Sequence, residues 1–355
     1  MSAYFSKKFE TLVPYVPGEQ PKDRRYIKLN TNESPFPPSE RAILAASEAA
    51  KSLQLYSDPT ASRLHYAIAA TVGCADDMVL ATNGSDEILN FAFMAFCDDE
   101  HPAIFPDITY GFYEVFAEIN RVPYEKIPLK DDLTIDVDAF LHRKGTIFLA
   151  NPNAPTGIFL PLCEIEKIVK STDGVVVVDE AYIDFGGESA VSLLDRYENL
   201  LITRTFSKSR SMAGARLGFG VAAPALIFDL VQMKYATNPY NVNSMTMAAG
   251  LGCLEDEDYT KKNCKTIIEN RAYLVKSLEK LGFLTTDSMA NFVFAKHPDF
   301  DGGKLYESLR DAGILVRHFK TPRIANYLRI TVGSYEECTA LITALSTLTN
   351  TPIKG

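Results

Sequence analysis

The chain of 355 residues contains no uninterrupted apolar stretch near the roughly 20 residues that a membrane-spanning helix requires. Its first ten residues, Met1 to Glu10, are polar and mixed in charge, without the apolar core of a secretory signal. An excess of positive charge is missing too: 36 Lys and Arg stand against 45 Asp and Glu, a net charge of −9. A nucleic-acid footprint needs a basic face, and anionic lipid needs basic clusters, so neither nucleic acid nor membrane is expected as a partner. The six cysteines (Cys74, Cys97, Cys163, Cys253, Cys264, Cys338) show no C-x-x-C spacing. Free thiols in a reducing cytoplasm are expected, rather than disulfides or a metal site. There is no internal repeat and no low-complexity segment.

With 46% hydrophobic residues the chain can bury a full core, and its length exceeds what one core usually serves. Three parts are expected: an N-terminal arm shared with a small domain (1–45), a large domain (46–255) and a small C-terminal domain (256–355). Residues 11–40 are rich in Pro, Asn and Gly and read as extended, and helical patterning follows at 39–54 and 60–72. Short apolar runs at 79–82, 103–105, 146–150, 175–179, 200–203 and 217–222 then alternate with helical segments. That alternation predicts an α/β fold with a mostly parallel central sheet flanked by helices. Farther on, a charged helix at 257–281 precedes strands near 283–286, 291–295, 314–317 and 327–332 and helices near 303–312 and 335–348. These predict a small α+β domain to which the N-terminal arm returns.

Chemistry concentrates around Lys208, in the run Thr205-Phe206-Ser207-Lys208-Ser209-Arg210, with Arg216 eight residues on. The apolar run Val175-Val176-Val177-Val178 ends in Asp179, followed by Glu180, Ala181 and Tyr182. A lysine amine forms a Schiff base with an aldehyde, an acid keeps a ring nitrogen protonated, and Thr, Ser and Arg bind a phosphate. Those are the demands of pyridoxal 5'-phosphate (PLP). Val79-Leu80-Ala81-Thr82 reads as a strand, Asn83-Gly84-Ser85 as a turn and Asp86 onward as a helix. There Gly84 permits close backbone approach, and the N–H groups of Ser85 and Asp86 face an anion. Each residue alone has a blander reading, because most lysines are solvated and Ser85 or Asp86 can simply cap a helix.

In combination these stretches resemble the fold-type I PLP enzymes of the aspartate aminotransferase superfamily. Within it the sequence is similar to the histidinol-phosphate aminotransferase family, from Leu12-Val13-Pro14-Tyr15-Val16-Pro17-Gly18 to Leu328-Arg329-Ile330-Thr331-Val332-Gly333. The resemblance implies that Lys208 forms the Schiff base and carries the Cα proton, that Asp179 pairs with the pyridine nitrogen, and that Tyr182 bonds the ring 3'-oxygen. It implies that Tyr110 stacks on the ring, while Gly84, Ser85, Asp86, Thr205, Ser207 and Arg216 hold the phosphate. One stretch departs from the family. Asn151-Pro152-Asn153-Ala154-Pro155-Thr156-Gly157 puts alanine where the family's Asn-Pro-Thr-Gly has its asparagine. Asn153 is then expected to reach the 3'-oxygen, with Asn151, or Tyr182 serving alone, as alternatives.

Five basic residues, Arg317, His318, Lys320, Arg323 and Arg329, fall between positions 317 and 329. Clustered charge is often a solvated face, yet Arg329 sits inside an apolar strand, where an unpaired cation is costly. The resemblance implies that Arg329 and Arg317 grip the substrate phosphate or carboxylates. Arg323 matches no family motif and reads as a surface residue. Asn32, in Asn30-Thr31-Asn32-Glu33-Ser34-Pro35, is similar to the family's arm motif and is expected near the substrate. Tyr56 resembles the tyrosine that this superfamily inserts into the partner subunit's site, which implies a homodimer; Tyr240 and Asn241 are expected near the partner's cofactor. His65 replaces a family arginine and is expected to be structural.

The implied activity is transamination of L-histidinol phosphate with 2-oxoglutarate, in histidine biosynthesis. Its partners would be a phosphorylated amino alcohol, a 2-oxo acid and a second copy of the chain. An aromatic-amino-acid aminotransferase and a threonine-phosphate decarboxylase of the same fold are alternatives. A non-catalytic PLP-fold regulator is disfavoured by the presence of both Lys208 and Asp179.

Overall fold

The computed structural model describes residue 2 and residues 4–349. An extended arm ends in strand β1 (Ile27–Lys28) and leads to helices α1 (Glu40–Ala49) and α2 (Ser62–Val72). α1 begins where the Ser39 side chain accepts the Ala42 N–H, an N-cap that supplies a partner the helix lacks. Strands and helices then alternate as β2 (Val79–Thr82), α3 (Ser85–Phe96), β3 (Ala103–Pro106), α4 (Phe112–Asn120), β4 (Tyr124–Ile127) and β5 (Thr146–Ala150). The series continues with α5 (Leu162–Ser171), β6 (Val176–Asp179), β7 (Leu200–Thr205), β8 (Gly218–Ala222), α6 (Pro224–Thr237) and α7 (Ser244–Leu254).

The seven strands of this domain lie in the order β2-β8-β7-β6-β5-β3-β4. Pairing is parallel from β7 to β4 and antiparallel only where β8 joins β7 and β2. Alternate residues feed two cores on opposite faces. Ile147, Leu149, Val176 and Val178 enter one, and Phe148, Val177 and Leu201 enter the other. Burial on both faces explains why these strands read as unbroken apolar runs. β4 escapes such a reading: it is the sheet's edge, and its Glu125 and Lys126 are exposed.

α8 (Glu257–Lys280) opens the small domain, followed by β9 (Leu284–Thr285), β10 (Phe292–Lys296), α9 (Gly302–Asp311), β11 (Ile314–Leu315), β12 (Arg317–His318), β13 (Tyr327–Thr331) and α10 (Tyr335–Leu348). Its antiparallel sheet has the order β12-β13-β10-β9, whereas β11 pairs in parallel with β1. The stretch expected as one strand at 314–317 therefore divides between two sheets. Leu29 of the arm joins the small-domain core. α1 does not follow it, because Ala42 packs into the large-domain core. The C-terminal ends of β6 and β7, the loop after β3 and the N-terminus of α3 all meet the small domain along one cleft, where open parallel sheets bind ligands.

Candidate active site

That cleft has a volume of ≈ 210 Å³ and is lined by Asn32, Ser85, Asp86, Tyr110, Asp179, Tyr182, Thr205, Ser207, Lys208, Arg216, Arg317 and Arg329. Gly84, Asn151, Asn153, Tyr56, Tyr240 and Asn241, also expected at a cofactor or substrate, do not line it.

Asp179 closes β6 and is buried. Its Oδ2 accepts the Tyr113 hydroxyl at 3.2 Å, and its Oδ1 accepts the Thr203 hydroxyl and the Ala181 N–H, each at 3.2 Å. Burial, and then the negative charge of Asp86, push its carboxyl up to about 6 against these donors. It makes no ion pair among the described residues, so a cation placed beside it would be strongly held.

Lys208 follows β7 in the turn that leads toward β8. Its Nζ donates to the Thr31 carbonyl at 3.2 Å and lies 5.9 Å from the Tyr182 ring centre. Burial pushes the amine down to about 8, and Arg329 adds to the effect. A substantial fraction is then neutral near physiological pH, as a nucleophile requires.

The third corner is built for an anion. The first N–H groups of α3 have no intrahelical acceptor, and Gly84, at φ +78, delivers the chain to them. A Cβ on Gly84 would lie 2.6 Å from Arg216 Nη2, and one on Gly218 would lie 2.3 Å from the Ser85 nitrogen. Both glycines thus let Arg216 and β8 close on the helix start. Arg216 Nη2 pairs with Asp86 Oδ2 at 3.0 Å, and the Tyr110 hydroxyl donates to Asp86 Oδ1 at 2.7 Å. Burial, with Asp86 second, raises the Tyr110 phenol well above its usual range. Ser207 Oγ is buried without a hydrogen-bond partner among the described residues. An orphaned hydroxyl, a helix N-terminus and an arginine suit a phosphate. With an unpaired acid at Asp179 and a partly neutral amine at Lys208, the residues fit PLP.

The asparagine assignment does not survive. Asn153 spends its side chain on Thr109 Oγ1 (2.8 Å), the Ile108 carbonyl (3.1 Å) and Thr156 Oγ1 (3.1 Å). Asn151 is consumed by both backbone groups of Leu160. Ala154 lines the cleft instead. Asn32 supplies an amide nearby, donating from Nδ2 to the Tyr182 hydroxyl at 3.0 Å. It is anchored in turn by Thr331 and Asn291. No local pattern announces that bond, because its partners are 150 positions apart.

Arg317 and Arg329 are register partners on β12 and β13. Arg329 donates from Nη2 to the Asn30 carbonyl at 3.1 Å, while its buried Nε has no partner among the described residues. Arg317 donates to the carbonyls of Val16 (2.7 Å) and Pro17 (3.0 Å). Neither pairs with a carboxylate among the described residues, so the small-domain side of the cleft presents two cations held by arm carbonyls and by the rings of Phe292 and Phe319. Tyr15, unremarked in the sequence, stacks on Phe112 at 4.3 Å and lies 6.4 Å from Tyr110 at the mouth. Tyr56 lies elsewhere: it is 82% exposed and stacks on Tyr240 at 4.5 Å. Asn241 is buried and bonds Glu87 of α3 in its own chain. His65 accepts the Ala81 N–H at 3.0 Å, and burial pushes it down to about 4, a neutral ring supporting β2.

Comparison with known proteins gives the same architecture. Residues 24–345 match the family described as "Aminotransferase class I and II". The chain is 47% identical to histidinol-phosphate aminotransferase 2 of Dechloromonas aromatica, covering 98% of this chain and 100% of that one. It is 47% identical to histidinol-phosphate aminotransferase 1 of Pseudomonas aeruginosa, over 97% of this chain and 99% of that one. The solved structure of histidinol-phosphate aminotransferase from Sinorhizobium meliloti, in complex with pyridoxal-5'-phosphate, superposes with a TM-score of 0.89 at 23% identity. That superposition covers 99% of this chain and 98% of that chain.

Proposed function

The chain belongs to the class I and II aminotransferase family, and from that membership we propose that it transfers the amino group of L-histidinol phosphate to 2-oxoglutarate. The products are imidazole-acetol phosphate and L-glutamate, a step of histidine biosynthesis. It is a PLP-dependent enzyme. PLP, when bound, supplies an aldehyde that captures the substrate amine and a cationic ring that makes the substrate Cα acidic.

Within the cleft, Asp179 holds the ring nitrogen in its protonated form, and Tyr182, oriented by Asn32, donates from its hydroxyl. Ser207, Arg216 and the start of α3 bind the cofactor phosphate. Lys208 Nζ would take the proton from the substrate Cα and hold it for return, which an amine near pKa 8 can do in both directions. Arg317 and Arg329 receive the substrate anion, a phosphate in one half-reaction and carboxylates in the other.

The observation that carries the substrate assignment is this pair of arginines without carboxylate partners. Charge-assisted hydrogen bonds contribute roughly 1.5–3 kcal/mol each. Arg329→Ala is therefore expected to raise KM for L-histidinol phosphate by about 100-fold. The check is steady-state kinetics of the PLP-loaded enzyme with L-histidinol phosphate, L-phenylalanine and L-threonine phosphate. Faster turnover of phenylalanine, or loss of CO2 from threonine phosphate, overturns the assignment.

The same reading makes the enzyme a cytoplasmic homodimer. Supporting the dimer, Ile43, Leu44, Leu53, Leu55, Tyr56 and Tyr66 expose a large apolar surface along one stretch of chain. Supporting the compartment, all six cysteines are free, and no described helix is long and apolar enough to cross a membrane. Sedimentation is expected to give twice the 39.3 kDa chain mass. Mixing inactive Lys208→Ala with inactive Tyr56→Ala is expected to restore part of the activity, because each mixed dimer regains one complete site. A monomer at micromolar concentration, or no recovery on mixing, would refute shared sites.

A further inference from the structure

The loop joining the two arginine-bearing strands is tied to the large domain by a residue that its sequence context assigns to the surface. Residues 319–326 connect β12 to β13. Within them Arg323 donates from Nη1 to Asp107 Oδ2 at 3.0 Å, and from Nη2 to the carbonyls of Leu129 (2.8 Å) and Lys130 (2.9 Å). All three acceptors belong to the large domain. Asp107 is itself fixed, since its Oδ1 accepts the Leu129 N–H at 2.9 Å and its N–H donates to Ile127 at 2.9 Å. The adjoining Ile324 is 2% exposed and belongs to the large-domain core, whereas most apolar residues of the small domain build a separate core.

Asp107 also opens the segment that ends in Tyr110. Between them, Ile108 and Thr109 are held by Asn153 at 3.1 and 2.8 Å. One guanidinium therefore links the hairpin that presents Arg317 and Arg329 to the segment that presents Tyr110. Its side chain is 37% exposed and that of Asp107 26%, so the pair adds little to global stability. What it supplies is orientation, because a planar fork with three acceptors fixes direction as well as distance.

We propose that Arg323 is a positioning residue: it holds the β12–β13 hairpin against the cofactor-binding face, so that Arg317 and Arg329 engage the substrate anion while the substrate amine lies at Lys208. The proposal rests on the reading of Arg317 and Arg329 as the anion site. A displacement of about 1 Å is enough to cost up to 100-fold in rate.

The test uses PLP-loaded enzyme carrying Arg323→Ala, Arg323→Lys or Asp107→Asn. Arg323→Ala is expected to raise KM for L-histidinol phosphate about 10-fold. The absorbance and affinity of bound PLP should stay unchanged, because the cofactor's ligands lie in the large domain. Arg323→Lys keeps the charge without the fork and should fall between. Asp107→Asn should raise KM about 3-fold in the wild type and add nothing to Arg323→Ala, since the contact it weakens is already absent there. Wild-type kinetics in Arg323→Ala, or a lowered melting temperature with unchanged KM, overturns the proposal. If Arg323→Ala does not fold, wild-type KM in both Arg323→Lys and Asp107→Asn overturns it equally. Should Arg317→Ala and Arg329→Ala leave KM unchanged, the anion-site reading fails; should they raise KM while the Arg323 variants do not, only the positioning role fails.

Discussion

Replacing Lys208 by alanine is expected to lower kcat by roughly 10⁴-fold, the upper end of what a positioned proton carrier contributes. Among the described residues lining the cleft, no other amine or imidazole is present to take over. A guanidinium is not a base in a protein, and burial raises the Tyr110 and Tyr182 phenols, Tyr110 well above its usual range. Lys208→Arg should be equally inactive, since a guanidinium keeps the cation but neither gives up its proton at working pH nor forms an imine. PLP should still bind through Ser207, Arg216 and Asp179, yet borohydride should no longer fix it to the chain. Single-turnover absorbance measurements with L-histidinol phosphate provide the check; a kcat within tenfold of wild type would remove Lys208 from the chemistry.

The same substitution has an opposite effect on the apoprotein. The folded Lys208 amine titrates at about 8, below its usual 10.5, so folding disfavours its charged form. That penalty is complete below pH 8, shrinks as pH rises and vanishes above 10.5. Lys208→Ala is therefore expected to raise the melting temperature of cofactor-free protein at pH 7, and to lose this advantage near pH 10.5.

Asp179→Asn is expected to reduce kcat by about 10²- to 10³-fold, the usual effect of removing one preorganised electrostatic contact. The asparagine keeps the shape, and the Tyr113 hydroxyl can rotate to accept from the new amide. What disappears is the negative charge that keeps the ring nitrogen protonated. In the apoprotein the carboxyl titrates at about 6 rather than 3.8. Its raised pKa contributes stability that is complete below pH 3.8 and is lost as pH rises through 6. Two pKa units correspond to about 3 kcal/mol. Cofactor-free Asp179→Asn should therefore be more stable than wild type at pH 8 and nearly equal to it at pH 4. Bound PLP should reverse the order at pH 8, because its ring cation is the partner that Asp179 lacks. Thermal melts at both pH values, with and without PLP, measure this; a pH-independent difference would contradict it.

Much of this protein was determined by residues that are neighbours along the chain. The apolar runs ending at Thr82, Ala150, Asp179 and Thr203 specify buried strands, because a strand covered on both faces needs apolar residues at every position. The turns that follow them carry Ser85, Lys208 and Arg216, so cofactor chemistry was legible where strand ends and catalytic groups lie a few positions apart. Contacts between distant segments were decided by packing alone. Asn153 is drawn away from the cleft by Thr109 and Ile108, and Asn32 reaches Tyr182 across 150 positions. Arg323 reaches Asp107 across 216, and Lys208 meets the carbonyl of Thr31 across 177. The edge strand β4 belongs with these, since half its residues face water and only the neighbour β3 makes it a strand. Local composition sets which way a side chain faces; which group it finally touches depends on how the arm and the small domain close over the sheet.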